Sequence, residues 1–139
     1  MTRSLAEIGL SVKRLQMAHH RAANVALAPL GLSIVQWDAL RHLRQNPDAS
    51  LHDLAVLTFQ TDQSFGTLAA RLIDRGLIER VPGPGRAVKH RLTPHGLAVQ
   101  EEGQAVLNDV LGRTFGALAP DELAAFDGLL TRLLASASG

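Results

Sequence analysis

The chemistry of this sequence is most readable in the cations between residues 71 and 96. Arg71, Arg75, Arg80, Arg86, Lys89 and Arg91 stand there against Asp74 and Glu79, a local surplus of four charges in a chain whose net charge is +1. A cationic segment in a near-neutral chain is a local electrostatic feature, and a polyanion is its natural partner. A solvated hairpin rich in Lys and Arg is the competing explanation. The same stretch, GLIERVPGPGRAVKHRLTPHG, carries a Pro-Gly-Pro-Gly tip that can bury almost nothing, with short extended runs on either side.

Other chemistries find little support. The six histidines include no pair at i, i+4, and there is no HExxH motif or Cys/His cluster, so no metal site is expected. The Pro-Gly-Pro-Gly loop lacks the Gly-Lys-Ser/Thr ending and the following helix of a phosphate-binding loop. Nothing places a Ser, a His and an Asp as a triad. Neither an enzyme nor a cofactor is expected. The chain contains no cysteine, which excludes thiol nucleophiles, thiol redox sensing and disulfides. Its apolar runs are far too short to span a membrane, and MTRSLAEIGL lacks the continuous apolar core of a signal peptide. A cytoplasmic protein is the expectation.

With 139 residues, 46% of them hydrophobic and only 4% aromatic, the chain suits one domain with an aliphatic core, with or without an oligomerising extension. Leu5, Ile8, Val12, Leu15, His19, Ala22 and Ala26 form a narrow helical seam, which suits packing against another helix, including one from a second subunit. Pro29 and Gly31 end it. Ser33 with Gln36, and Ser50 with Asp53, make capping-box patterns that open two more helices. Ile34, Trp37, Leu40 and Leu43 face inward from the first of these, and Leu51, Leu54 and Leu57 from the second. Thr61 caps a fourth helix, 61–75, with Phe65, Leu68, Ala69 and Leu72 inside and Gly76 as its terminal glycine. Two extended runs follow. Thr93 and Pro94 then start a long helix with Leu97, Leu107, Leu111, Phe115 and Leu118 marking one face and Val110 broadening it. Pro120 restarts the chain into a last amphipathic helix, with Leu123, Phe126, Leu130, Leu133 and Leu134 on its stripe.

A short helix joined by a tight turn to a longer one is the helix-turn-helix plan, and a hairpin directly after it is a wing. The fold class expected is mainly α with a small β-hairpin wing. The stretches LSIVQWDALRHL (32–43), LHDLAVLTFQTDQSFGTLAARLIDRGLIER (51–80) and RLTPHG (91–96), in this order and spacing, resemble the MarR family of bacterial transcriptional regulators. The resemblance covers nearly the whole chain. It implies a winged helix-turn-helix homodimer with 1–32 as an N-terminal dimerisation helix, 33–93 as the DNA-binding lobe and 94–139 as C-terminal dimerisation helices. The family's wing commonly carries Asp-x-Arg; here the Arg is Arg86, and Pro84 stands in the Asp position.

Helix geometry selects the DNA-facing residues. Opposite the apolar face of helix 61–75 lie Gln63, Thr67, Ala70 and Asp74, with Ser64, Gly66 and Arg71 on the flanks. A small, uncharged surface near the N-terminus suits a major groove, where Gln63 can bond an adenine edge, Thr67 a base or methyl group, and Arg71 a phosphate or guanine. Gly66 fits either close approach to DNA or close packing on a neighbouring helix. In the wing, 77–92, Arg86 suits a narrow minor groove. Strand alternation turns Val88, His90 and Leu92 inward, leaving Lys89 and Arg91 outward as phosphate contacts. In the family a cleft between dimer region and reading lobe often holds small organic effectors. His19, Trp37 and His42 are the candidates for such a pocket, with core packing the stronger reading of Trp37. The function expected is a repressor that reads a pseudo-palindromic duplex site and is relieved by a small organic ligand. The alternative is a winged-helix dimer acting as a protein-interaction or ligand-binding module without specific DNA binding.

Overall fold

The computed structural model describes residues 2–82 and 88–138. Helix α1 (Leu5–Leu27) runs through a short 3-10 turn (Ala28–Leu30) into α2 (Ile34–Gln45), α3 (Leu51–Leu57) and α4 (Asp62–Asp74). Strands β1 (Ile78–Pro82) and β2 (Val88–Leu92) follow, then α5 (Pro94–Phe115) and α6 (Pro120–Ala137). The two strands pair antiparallel, with Ile78 opposite Leu92, Arg80 opposite His90 and Pro82 opposite Val88. This is the mainly helical, winged architecture expected from the helix and turn signals.

Local chemistry sets the helix starts. Ser33, Ser50, Thr61 and Thr93 each accept a backbone N–H from the residue three positions on, and Ser33/Gln36 and Ser50/Asp53 complete reciprocal capping boxes. At Ala119, which has no hydroxyl, only half the device forms: the Glu122 carboxylate accepts the Ala119 N–H at 2.8 Å. Gly76 sits at φ +71° after α4, the left-handed position where glycine carries no steric cost. α1 also caps α2 from a distance, because Asn24 Oδ1 accepts the Ile34 N–H at 2.8 Å.

The core lies between α2, α3, α4, the strand bases and α5. Leu27, Leu40, Leu54, Leu72 and Leu77 are its largest fully enclosed side chains. On α4 the residues buried are Phe65, Leu68, Ala69 and Leu72, as the periodicity requires. On α5 the apolar pattern is met only in part: Leu107 and Val110 are buried as expected, but other positions differ. The buried residues are Gly96, Val99, Gln100, Gly103, Leu107 and Val110, while Leu97 is exposed and Leu111 and Phe115 are half-buried. The helix meets the lobe through its glycines, and a stripe of large apolar residues does not reveal that. A side chain at Gly96 would overlap the Leu77 carbonyl oxygen, and one at Gly103 would run into the Trp37 indole. Across this contact Trp37 Nε1 donates to the Gln100 carbonyl at 3.0 Å, and Arg44 donates to Gln100 Oε1 at 2.7 Å.

Two faces stay uncovered. The first half of α1 exposes Leu5, Ile8, Leu10 and Val12. α6 buries none of its residues and presents Leu123, Leu129, Leu133 and Leu134 to solvent. Among the described residues no helix is long and apolar enough to cross a membrane.

In the hairpin His90 is buried, at 5% exposure, and Leu92 is half-buried, as alternation requires. Val88, expected inward, is half exposed, because at the far end of the ladder it has passed beyond the body of the lobe. Burial, and secondarily the charge of Arg80 directly opposite, hold the His90 imidazole below its ordinary value of 6.5.

Two outcomes follow. Gly96→Ala and Gly103→Ala should each destabilise the fold by roughly 1–3 kcal/mol, the usual cost of overpacking, and lower Tm by several degrees. Gly96→Ala should cost more, since it meets backbone rather than a side chain. Thermal unfolding followed by circular dichroism checks both, and unchanged melting would refute the close approach. For His90 the folded state resists a proton that the unfolded chain accepts. Its contribution to stability is therefore full above about pH 6.5 and is lost as pH falls through that value towards the lower folded one. In urea titrations from pH 7.5 to 5, H90Q should lose less stability on acidification than the parent protein.

Candidate nucleic-acid interface

The exposed side of α4 is held in place by its buried side. Phe65, Leu68, Ala69 and Leu72 are fixed in the core, so Gln63, Ser64, Thr67 and Arg71 must project outward. These four line one open groove of about 520 Å³, shared with Ser33, Val35 and Gln36 from the start of α2 and with Gln60 and Thr61 from the turn before α4. The structure thus brings all four α4 candidates onto one surface. Ser64 Oγ donates to Gln60 Oε1 at 3.1 Å, and Thr67 Oγ1 returns its proton to the Gln63 carbonyl at 3.1 Å. Gln63 and Arg71 carry no side-chain hydrogen bond to other described residues, so both remain available to a ligand.

Gly66 is resolved by geometry. A Cβ built there meets nothing within 4 Å, so packing on a neighbouring helix does not require the glycine. The other end of α4 is braced: Arg75 donates to the Gly31 carbonyl at 2.6 Å, which ties the helix to the joint between α1 and α2.

The hairpin cations are less free than alternation implies. Lys89 is partly covered and lies 3.5 Å from Asp48, whose carboxylate is almost fully exposed. Arg91 pairs at 2.5 Å with Glu79, its direct cross-strand neighbour. Exposed pairs of this kind contribute little, so a phosphate can displace the carboxylate. Arg86 and Pro84 lie outside the described residues.

The three residues considered for a ligand pocket do not converge within one chain. His19 Nε2 lies 2.5 Å from Thr114 Oγ1, and its ring meets Phe115 edge-on near the end of α5. Trp37 lies in the core against Gly103 and Leu27, with the Arg41 guanidinium over its ring at 5.6 Å. His19 and Leu27 are separated along α1 by roughly 12 Å, at 1.5 Å per residue. His42 turns back onto its own helix, Nδ1 to the Asp38 carbonyl at 2.8 Å. Each is engaged in packing or in a local hydrogen bond.

One pair at this surface has no signature in the sequence. His52 from α3 and Asp62, the first residue of α4, meet at 2.8 Å, Nδ1 to Oδ1, across the turn between the helices. The Asp62 carboxylate, which bonds the ring and lies beside it, raises the imidazole above its ordinary 6.5; Asp53 adds to the effect. The ten-residue separation matches no motif, and only the turn's geometry brings the two together.

The comparisons agree with this geometry. The family model described as MarR family matches residues 30–87, which span the end of the first joint, α2–α4 and the first limb of the wing. The HTH-type transcriptional repressor Rv2887 of Mycobacterium tuberculosis is 28% identical over 130 residues, covering 92% of this chain and 94% of the relative. Its crystal structure in complex with DNA superposes with a TM-score of 0.79 at 26% identity, covering 95% of this chain and 98% of that one. Its complex with salicylic acid superposes at 0.77 and 28% identity, covering 95% and 97%. The fold is shared as well with a mutant MarR from E. coli complexed with operator DNA, at a TM-score of 0.82 and 24% identity over 96% of this chain and 99% of that one. A matching family model over residues 30–87, a relative aligned along almost the full length, and the same helix-turn-helix and wing make this chain similar, in sequence and in fold, to regulators of the MarR family.

Proposed function

We propose that this protein is a homodimeric transcriptional repressor that binds a pseudo-palindromic site in double-stranded DNA and is released from it by a small organic ligand. The observation that carries this reading is the exposed face of α4, where Gln63, Thr67 and Arg71 project from a helix whose opposite side is locked in the core. The M. tuberculosis relative is named a transcriptional repressor, and its solved complexes are with DNA, salicylic acid and p-aminosalicylic acid. Bacterial regulators of this kind act where the chromosome is, so the cytoplasm is the place of action.

In this reading α4 enters the major groove. Gln63 reads a base edge, Ser64 and Thr67 adjust the fit, and Arg71 takes a phosphate or guanine. Lys89 and Arg91 exchange their carboxylates for phosphates, and Arg86 extends the contact into the minor groove. Residues 1–32 and 94–139 form the dimerisation region around the lobe, 33–93. Support comes from the uncovered faces. An 18-residue helix with no buried residue is marginal in water and needs tertiary support. The apolar stripe of α6, the exposed half of α1 and a cleft of about 620 Å³ lined by Phe115, Leu123, Phe126 and Leu130 provide a surface for a second copy.

Binding to the DNA flanking its own gene, measured by fluorescence anisotropy at several salt concentrations, tests the roles. Gln63→Ala should cost about 1–3 kcal/mol on the specific site and relax base preference. Arg86→Ala should weaken specific and scrambled DNA alike and reduce the salt slope by about one. Equal affinity of the parent protein for both DNAs would exclude a specific regulator. Gly66→Ala provides a separate check. It should stabilise the helix by up to about 1 kcal/mol, since space is open there, yet weaken DNA binding by crowding the groove. Unchanged DNA affinity in that variant would remove Gly66 from the interface.

A further inference from the structure

We propose that His52 is a phosphate-contacting residue of the DNA interface, oriented by Asp62 so that its second ring nitrogen meets the backbone on the flank of α4 opposite Arg71. The inference rests on the DNA-binding reading above.

The geometry begins on the helical wheel of α4. With Phe65, Leu68, Ala69 and Leu72 inward, Gln63 and Thr67 point directly away from the core. Ser64 and Arg71 lie on one flank, towards the start of α2, where they share the groove with Ser33 and Gln36. Asp62 lies on the other flank, towards α3, and His52 reaches it from there. A helix with its side chains is about 10–12 Å across, and a major groove is about 12 Å wide. A helix seated in the groove therefore has a phosphate backbone along each flank. In a helix-turn-helix the first helix crosses that backbone while the N-terminal end of the second reads bases. His52 is on the first helix, beside the N-terminal end of the second.

The pair then defines what the ring can offer. Asp62 accepts a hydrogen bond from Nδ1 at 2.8 Å, which leaves Nε2 on the far side of the ring, and the side chain is mostly exposed. In the neutral ring Nε2 is an acceptor and presents a lone pair to any phosphate. Once protonated, Nε2–H is a donor and the ring carries a charge. Protonation also turns the pair from net negative to neutral, which removes the repulsion that Asp62 alone would exert on DNA. The contact forms with uptake of one proton, so it is present at low pH and lost as pH rises through the raised value of this histidine. A phosphate brought against Nε2 raises that value further.

Few charges compete. Asp62 of α4 and Asp53 of α3 itself are the groups that act on His52. Charged groups of α2 and β2, which also pack on α3, are engaged elsewhere among the described residues. Arg41 and His42 engage Asp38, Arg44 engages Glu101, Lys89 engages Asp48 and Arg91 engages Glu79. His90 is buried and faces Arg80 in the hairpin.

The test is anisotropy with the same DNA fragment between pH 5.5 and 8.5 at fixed ionic strength, comparing the parent with H52Q and D62N. The residues are exposed, so thermal melting should confirm intact folding in both. The expected result is that the parent binds more tightly at pH 6 than at pH 8 by a margin that H52Q lacks. At pH 6 H52Q should bind roughly three- to ten-fold more weakly than the parent, with a salt slope smaller by about 0.9. The NMR titration of the His52 ring should move to higher pH when DNA is added. D62N should lower that titration point in free protein. If H52Q binds DNA with the parent's pH profile and salt slope, the inference fails while the DNA-binding reading stands. If the parent does not bind DNA, both fail together.

Discussion

The approach of α5 onto the lobe is the constraint on which the rest depends. At Gly96 the helix passes so close to Leu77 that a methyl group has no room, and at Gly103 it does the same over Trp37. That closeness lets the Trp37 indole reach the Gln100 carbonyl and lets Arg44 reach the Gln100 side chain. Close packing gains dispersion contacts over the whole face, and the polar ties pair the buried Trp37 indole N–H and the Gln100 side-chain oxygen. Because Leu77 lies between α4 and β1, the same contact sets where the hairpin leaves the body. The hairpin, α4 and α5 are therefore positioned against one another by two glycines and a tryptophan.

From this anchor the molecule divides by what remains unsatisfied. The core is closed by α2–α4 and the strand bases together with the end of α1 and the first part of α5, but α6 and the first half of α1 leave large apolar surfaces open. An isolated helix of that length gains too little from its own hydrogen bonds to hold its shape, so these surfaces call for a partner. The joint between the two regions is short and stiffened from both sides. Asn24 of α1 caps α2, and Arg75 from the end of α4 grips the Gly31 carbonyl at the turn. Hydrogen bonds, rather than a loose linker, thereby tie α1 and the turn after it to α2 and α4.

The exposed face of α4 is chemically quiet. Its centre is small and uncharged, and cations lie at the margins, two of them, Lys89 and Arg91, held against carboxylates. Lys89 and Arg91 are each paired with a carboxylate, and exposed pairs of this kind contribute little to stability. The His52–Asp62 pair follows the same logic at the N-terminal end of α4: a carboxylate favoured by the helix dipole is paired with a group from the preceding helix.

Much of this was legible in the amino-acid order. The caps at Ser33, Ser50, Thr61 and Thr93 are local, involve residues three apart, and formed as the residue types require. The inward face of α4 followed from its 3.6-residue period, and so did the identity of its outward residues. The position of the two extended runs directly after the helix-turn-helix located the wing. What the order of residues did not reveal were contacts between elements. Hydrophobic pattern counts large side chains, so it placed the face of α5 on Leu97 and Leu111 and passed over Gly96 and Gly103, whose value is the absence of a side chain. Alternation put Val88 inside because it cannot see where the body of the lobe ends. His19, Trp37 and His42 do not meet within one chain, because each is held by its own neighbours. His52 and Asp62 are ten residues apart and belong together because a turn folds one helix onto the next. One-dimensional order determines what each segment can become. Which side chains meet depends on distances between segments, and only the packed chain sets those.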